Sequence, residues 1–169
     1  DYDLTQHEKF SGKDLKYFDE ESGKKISPYV IEPTMGVDRI MLACLVDGYN
    51  ESDGADGREK GDVVLKIHPK IAPVQVAVFP LMKKDGMPEI ANDIRYQATV
   101  CGFRAAYDES GSIGKRYRRQ DEIGTPFCVT VDYDSLKDKT VTIRDRDTMK
   151  QERIKISEIN NYLFEKINS

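Results

Sequence analysis

Eight consecutive residues, Val74-Gln75-Val76-Ala77-Val78-Phe79-Pro80-Leu81, place the tightest limit on what this chain can fold into. A run this apolar, without regular polar alternation, belongs to a strand covered on both faces. The segments that follow can supply the cover. Residues 89–100 predict a helix and Arg104–Tyr107 a short strand. Residues 112–123 predict a second helix, introduced by Gly111-Ser112 with Ser112 as its N-cap. Phe127–Asp132 (FCVTVD) is another apolar strand, and Val141–Arg146 with Glu152–Ile156 read as an antiparallel pair around 147–151. Ser157 then caps a last helix with Ile159, Leu163 and Ile167 at helical spacing. The order βαβαβββα predicts a three-layer α/β domain with a mixed sheet whose later strands are antiparallel.

Upstream the pattern is different. Leu4–Phe10 predicts a short helix ended by Ser11-Gly12. Leu15–Phe18 and Ile26–Ile31 predict two strands joined by a turn over 20–24 that contains Gly23. Val37–Tyr49 predicts a helix apolar over most of its circumference, which calls for packing on several sides. Some fifty residues bury too little surface to provide that packing alone. The stretch Asn50–Asp62 (NESDGADGREKGD) is polar and rich in Gly and Asp, and reads as a linker or loose surface loop. The expected organisation is residues 1–50 as the remnant of one domain, 51–62 as a linker, and 63–169 as a complete domain. The opening Asp1-Tyr2-Asp3-Leu4 offers no signal peptide.

Composition excludes several functions. With 38% hydrophobic and 33% charged residues the chain has the make-up of a soluble globular protein. No stretch approaches the roughly 18 apolar residues of a membrane span, so no membrane partner is expected. Cys44, Cys101 and Cys128 lie far apart without a CxxC spacing, and His7 and His68 complete no cluster, so no metal is expected. Buried free thiols in a reducing compartment are the expectation for all three cysteines. The net charge of −4 speaks against a generally basic nucleic-acid binder. It is unevenly spread: residues 1–61 hold 8 Lys/Arg against 14 Asp/Glu, and residues 62–169 hold 18 against 16. Phosphate binding must therefore be argued from local clusters.

Two clusters qualify. The first is Glu32-Pro33-Thr34-Met35-Gly36-Val37-Asp38-Arg39, which joins the strand-like Tyr29-Val30-Ile31 to the apolar helix. A carboxylate leaving an apolar strand needs a cationic partner, either a substrate ammonium or a structural salt bridge with Arg39. Thr34 points the same way in an extended segment. Gly36 permits close backbone approach, and Arg39 in the first helical turn can offer two parallel N–H bonds to a phosphate. Asp38 is equally an ordinary acid at a helix N-terminus. The second cluster is Lys115, Arg116, Arg118 and Arg119, with 115, 118 and 119 on one helix side and 116 turned away. It suits a nucleic-acid backbone or a solvated surface, with Asp121 and Glu122 partly neutralising it. Arg144 and Arg146, at the end of a late strand, are of the kind that reads unpaired bases. Tyr117 and Tyr133 can stack on bases or be buried.

The joint pattern resembles class II aminoacyl-tRNA synthetases, and glycyl-tRNA synthetases in particular. Those proteins carry an Asp-aromatic-Asp-Leu-x-x-His element, matched by residues 1–7, and a Ser-Gly-x-Asp-Leu segment, matched by Ser11–Leu15. Their motif 3, Pro-Tyr-Val-Ile-Glu-Pro-Ser-x-Gly-Val-Asp-Arg, is matched by Pro28–Arg39, with Thr34 where Ser is usual. Tyr107–Val131 is similar to their anticodon-binding domain, and the resemblance covers practically the whole chain. It implies a mixed five-stranded sheet with about three helices, preceded by antiparallel strands and the motif 3 helix of a catalytic domain.

The resemblance also implies roles. Glu32 would hold the glycine ammonium, with Pro33, Thr34, Met35 and Gly36 around the amino acid. Gly36, Val37, Asp38 and Arg39 would border ATP, with Arg39 on its phosphates and Mg2+ accompanying the nucleotide. Lys115, Arg116, Arg118, Arg119, Arg144 and Arg146 would face tRNA(Gly). Such a protein ligates glycine to tRNA as a cytoplasmic homodimer. Motifs 1 and 2 are not found in these residues, so no aminoacylation is expected of them alone. The alternative is a non-catalytic, synthetase-like nucleic-acid-binding or accessory subunit, which has no reason to keep Glu32 and Arg39 together.

Overall fold

The computed structural model describes residues 2–55 and 57–168. Two compact units emerge, residues 1–40 and 41–169. In the first, helix α1 (Tyr2–Ser11) precedes a hairpin of β1 (Tyr17–Asp19) and β2 (Lys24–Ile26), with Tyr17 opposite Ile26 and Asp19 opposite Lys24. Gly23, at φ +66°, makes the turn. Lys25 donates to Asp14 beside the hairpin. The second strand is shorter than Ile26–Ile31, because Pro28 and Pro33 remove backbone donors from the segment that follows; residues 27–36 have no regular structure. None of the described residues 2–40 is buried.

Helix α2 (Val37–Gly48) begins in the first unit and ends in the second. Its apolar side chains remain uncovered: Leu42 is 61% and Val46 70% exposed, and its single buried residue is Gly48. The packing on several sides that its composition calls for is not met within the described residues.

Strand β3 (Tyr49–Glu51) follows at once and pairs antiparallel with β4 (Val63–Leu65). The stretch expected as a linker is thus the loop of a hairpin. Ser52 N donates to Asp62 O at 2.8 Å and Gly61 N to Ser52 O at 2.8 Å, closing its base. The loop is not loose throughout, because Arg58 within it is buried.

The rest is a mixed sheet of β5 (Val76–Pro80), β6 (Ala105–Tyr107), β7 (Phe127–Val131), β8 (Thr140–Asp145) and β9 (Gln151–Lys155), in the order β6-β5-β7-β8-β9. β5 runs parallel to β6 and β7, while β7–β8 and β8–β9 are antiparallel. Helix α3 (Met87–Val100) links β5 to β6, α4 (Ile113–Ile123) links β6 to β7, and a short helical turn, α5 (Ser135–Asp138), links β7 to β8. The predicted order is observed, with α5 and the β3–β4 hairpin as additions. Ser112 occupies the N-cap of α4, though its side chain makes no capping bond. Ser157 does not cap α6 (Ile159–Asn168): it lies inside a 3-10 turn, Ile156–Glu158, that leads into it.

Both faces of β5 are covered, as its composition requires. Val76 and Val78 pack with Met87, Ala91, Ile94 and Ala98 of α3 and with Ile159, Leu163 and Ile167 of α6. Ala77 and Phe79 face the other way, against Cys128, Ile113 and Tyr117. All five β5 residues and all five β7 residues are buried. Burying a side chain the size of Val or Phe contributes about 1.5–3 kcal/mol, so this double-sided contact is the main source of stability in the unit. Burial drives the Cys128 thiol up from its ordinary range. The cysteines differ from the expectation: Cys128 is buried, Cys44 half-buried, and Cys101 exposed beyond the end of α3.

The edge strand β9 is pinned across β8. Arg153 reaches Asp132, just past β7, with Nη1–Oδ2 at 2.7 Å and Nη2–Oδ1 at 2.9 Å. The Arg153 hydrogen bond lowers the Asp132 carboxyl from 3.8 to about 2. A carboxyl depressed in the folded state stabilises the fold above its unfolded pKa, and the contribution vanishes as pH falls through the folded value. Urea unfolding should therefore show Asp132→Asn less stable than the parent at pH 7, with the difference shrinking between about pH 4 and 2. A difference independent of pH over that window would remove the ion pair from the account.

A candidate nucleic-acid interface on the second unit

The two sequence clusters meet different fates. Glu32, Pro33, Thr34, Met35, Gly36, Val37, Asp38 and Arg39 are all exposed. Thr34 Oγ1 donates to Glu32 Oε1 at 3.3 Å, so carboxylate and hydroxyl do face the same way. Arg39 forms no ion pair among the described residues, and the alternative Glu32–Arg39 salt bridge is not made. The polar groups are surrounded by uncovered apolar side chains, with Ile31 90%, Val37 81% and Met35 79% exposed.

The basic residues of the second unit divide into an outer and an inner set. Lys115 and Arg118 are exposed on α4 and Arg119 is half-exposed, while Arg116 on the opposite side is buried at 3% exposure. That is the split the helical spacing predicts. Arg118 meets Asp62 at 2.9 Å and Glu122 at 3.5 Å. Arg119 donates through Nε to Asp108 Oδ2 at 3.1 Å and through Nη2 to Ser110 O at 2.7 Å. Burial pushes the Asp108 carboxyl up, but the Arg119 bond, the Ser110 N–H and the charges of Arg119 and Arg116 together outweigh it and hold the group low. These are screened surface pairs that leave the guanidinium rims accessible.

The inner set serves the fold. Arg116 donates Nη1 to Pro80 O and Nη2 to Gly111 O at 2.8 Å, bracing the ends of β5 and of the loop before α4. Arg146 donates to Gly124 O at 2.7 Å and Ile67 O at 3.0 Å and grips Asp147 with two bonds of 2.8 Å. Gly124, which ends α4 at φ +82°, sits so close to Leu65 O that an added Cβ would stand 2.9 Å from it. Arg144 is 3% exposed and lies with its guanidinium carbon 4.6 Å over the Tyr117 ring. Tyr117 is itself half-buried, bonded to Thr130 Oγ1 at 2.6 Å and edge-on to Phe79. Arg116, Arg144 and Arg146 are thus buried, each 3% exposed, and stand apart from the exposed Lys115 and Arg118. β8, which holds Arg144, is not a sheet edge either; β9 is.

Sequence reasoning missed the centre of this network. Asp121, expected to neutralise the surface cluster, is 5% exposed. Its Oδ2 receives Arg58 Nε at 3.1 Å and Arg144 Nη2 at 2.6 Å. Arg58 comes from the hairpin loop and also donates Nη2 to Arg146 O. The only hint in the sequence is a single arginine amid Gly and Asp. Around the cluster opens a groove of about 510 Å³, walled by the hairpin loop, α4 and β8–β9, and lined by Lys115 and Arg118 as well as by Glu59 and Asp62. Elsewhere among the described residues no group of His, Cys, Asp and Glu is arranged to hold a metal ion, and no helix is long and apolar enough to cross a membrane.

A three-layer α/β unit with a mixed sheet and a groove lined by charged side chains is the class of domain that these features define. Residues 75–166 match the sequence family described as the anticodon binding domain, and the chain belongs to that family. Over 167 residues, 99% of the chain, it is 59% identical to a glycine–tRNA ligase of Caldanaerobacter subterraneus subsp. tengcongensis. It is 53% identical over 167 residues to the glycine–tRNA ligase of Clostridium acetobutylicum, again 99% of the chain, and 53% identical over 161 residues to that of Treponema denticola, 94% of the chain. The chain spans about a third of the length of these relatives: 35%, 35% and 36%.

Removing the shared carboxylate strands two guanidiniums in the interior. Breaking a buried pair in this way costs about 3–5 kcal/mol, so Asp121→Ala should lower unfolding free energy by that amount in chemical denaturation. Arg119→Ala, which breaks a partly exposed pair, should cost less than about 1 kcal/mol. Equal losses for the two would refute the division into inner and outer sets.

Proposed function

We propose that this chain is the C-terminal part of a glycine–tRNA ligase, a cytoplasmic enzyme that activates glycine with ATP and transfers it to tRNA(Gly). The observation that carries this reading is 53–59% identity to glycine–tRNA ligases over nearly the whole chain, joined to the anticodon binding domain match at 75–166. On this reading residues 1–50 end the catalytic domain, 63–169 form the tRNA-binding domain, and the hairpin loop 51–62 joins them. The parent protein works as a homodimer.

In the first segment, Glu32 meets the glycine ammonium, with Pro33, Thr34, Met35 and Gly36 lining the amino acid. Gly36, Val37 and Asp38 border ATP and Arg39 meets its phosphates. The donor set fits those substrates: an exposed carboxylate bonded to a neighbouring hydroxyl, and an exposed guanidinium at the start of a helix with no ion pair among the described residues. Mg2+ bound with ATP adds positive charge against the phosphates. What these side chains do is position and neutralise, which is where most of the rate enhancement of such a step lies. The uncovered apolar surface of α2 is consistent with a larger catalytic domain packed on it.

In the second segment, Lys115, Arg118 and Arg119 present charge to the tRNA backbone. Residues that neutralise phosphates release counterions, so affinity falls with salt. Lys115→Ala and Arg118→Ala should each weaken tRNA binding across sequences and lower the salt slope by about 1. Binding that ignores salt would oppose this assignment.

The catalytic half has its own test. In the full-length ligase, Arg39→Ala should reduce glycine-dependent ATP–pyrophosphate exchange at least a hundredfold, a loss typical of removing one charge-stabilising group. The 169-residue chain alone should show none. Near-normal exchange in the variant, or measurable exchange by the chain alone, would each contradict the division of labour proposed.

A further inference from the structure

Helix α2 has one buried residue, and it is a glycine. Gly48 closes the helix, and Tyr49 opens strand β3 with no loop residue between them. The Gly48 backbone is outside the left-handed region, so its conformation does not call for glycine. The space around it does. An added Cβ would stand 3.0 Å from Ile67 Cγ2 and 3.3 Å from the carbonyl carbon and oxygen of Lys66. Lys66 N donates to Gly48 O at 2.6 Å across the same contact.

The other side of Ile67 meets a second glycine. At Gly124 an added Cβ would stand 2.9 Å from Ile67 Cγ1 and 3.0 Å from its Cδ1. The ends of α2 and α4 are thus pressed onto one isoleucine, two residues past β4, which is 8% exposed and stands outside both core clusters of the sheet. Arg146 ties the backbone of the same group, donating to Ile67 O and Gly124 O, and its own carbonyl accepts from Arg58 in the hairpin loop. A β-branched side chain is stiff, and a close-packed contact on both of its sides leaves little room for tilt. Every contact of this junction lies in the second unit. The rest of α2 is uncovered, so among the described residues the direction of the helix is set at this end.

We propose that Gly48 and Ile67 are positioning residues for the transfer of glycine to tRNA: their contact fixes the angle at which α2 leaves the sheet unit, and with it the place where the acceptor end of a bound tRNA arrives. The inference rests on the reading of this chain as the C-terminal part of a glycine–tRNA ligase. Neither residue touches substrate. They act through α2, whose first turn carries Asp38 and Arg39. About 13 Å of helix separates Gly48 from Arg39, so a tilt of about 5° at the junction moves Arg39 by about 1 Å. A misplacement of about 1 Å can cost on the order of a hundredfold in rate. Activation of glycine needs no tRNA and is indifferent to that angle. Transfer to a tRNA gripped at its anticodon arm depends on it.

The test uses the full-length ligase with Gly48→Ala, which forces Ile67 and the helix end apart while alanine remains the better helix former. Three reactions are compared: glycine-dependent ATP–pyrophosphate exchange, charging of whole tRNA(Gly), and charging of an acceptor-stem minihelix that has no anticodon arm. Exchange and minihelix charging should stay within about twofold of the parent, while kcat for whole tRNA falls about tenfold or more with KM little changed. Ile67→Ala, which empties the same contact, should show the same split and decides the matter if Gly48→Ala does not fold. A purely structural role would lower all three reactions together, and that result overturns the proposal. Unchanged charging of whole tRNA by either folded variant overturns it as well. A parent protein that shows no glycine-dependent exchange would instead bring down the ligase reading beneath it.

Discussion

One carboxylate oxygen, Asp121 Oδ2, receives guanidiniums from residues 63 positions before it and 23 positions after it. Through that atom the hairpin loop, helix α4 and strand β8 are held together. Arg58 extends the network to the backbone of Arg146, and Arg146 extends it to Gly124 and Ile67. A charge taken out of water is tolerated only with good geometry and further hydrogen bonds. Here two cations share one carboxylate oxygen, and the surrounding carbonyls and the Tyr117 face take up other parts of the guanidiniums. The groove exists because these groups converge without filling the space above them.

This arrangement changes how the chain's arginines should be counted. Six basic positions suggest a nucleic-acid surface when read along the sequence. Three of them, Arg116, Arg144 and Arg146, are internal braces whose donors go largely to carbonyls and carboxylates of the same unit. An arginine has five donors in a fixed fork, so it can tie together segments that no regular hydrogen-bond ladder reaches. The surface that remains for a long-range electrostatic encounter is small, which agrees with a net charge of −4. Binding at such a surface depends on a few well-placed contacts more than on bulk attraction.

The two units differ in what they bury. The sheet unit encloses β5 and β7 completely, whereas no described residue from 2 to 40 is buried and α2 keeps its apolar side chains uncovered. A helix with this composition forms its backbone bonds locally but obtains most of its stability from packing. The Glu32–Arg39 turn is held on that unsupported segment. Its polar groups point outward without the walls that would exclude water and strengthen their electrostatics.

Much of the sheet unit was legible in the sequence. Continuous apolar runs mark β5 and β7, helical spacing marks α6, and the alternation of strands and helices leads to a mixed three-layer fold. Local signals of this kind are strong because side-chain periodicity directly reports which faces are covered. The hairpin β3–β4 was not legible, since three-residue strands flanking a Gly- and Asp-rich loop carry no periodicity. Strand β2 stops at Ile26, short of the predicted Ile31, because Pro28 removes a backbone donor from a segment whose apolar content alone suggests a strand.

The sequence by itself determined the layers, the family resemblance and the chemistry of residues 32–39, all of which follow from neighbours in the chain. Only the tertiary structure decided which arginines meet solvent and which meet Asp121. Burial of a charged side chain depends on partners far away in sequence: Arg58 and Arg146 meet across 88 residues. No window along the chain contains both ends of that bond, so no local pattern could announce it.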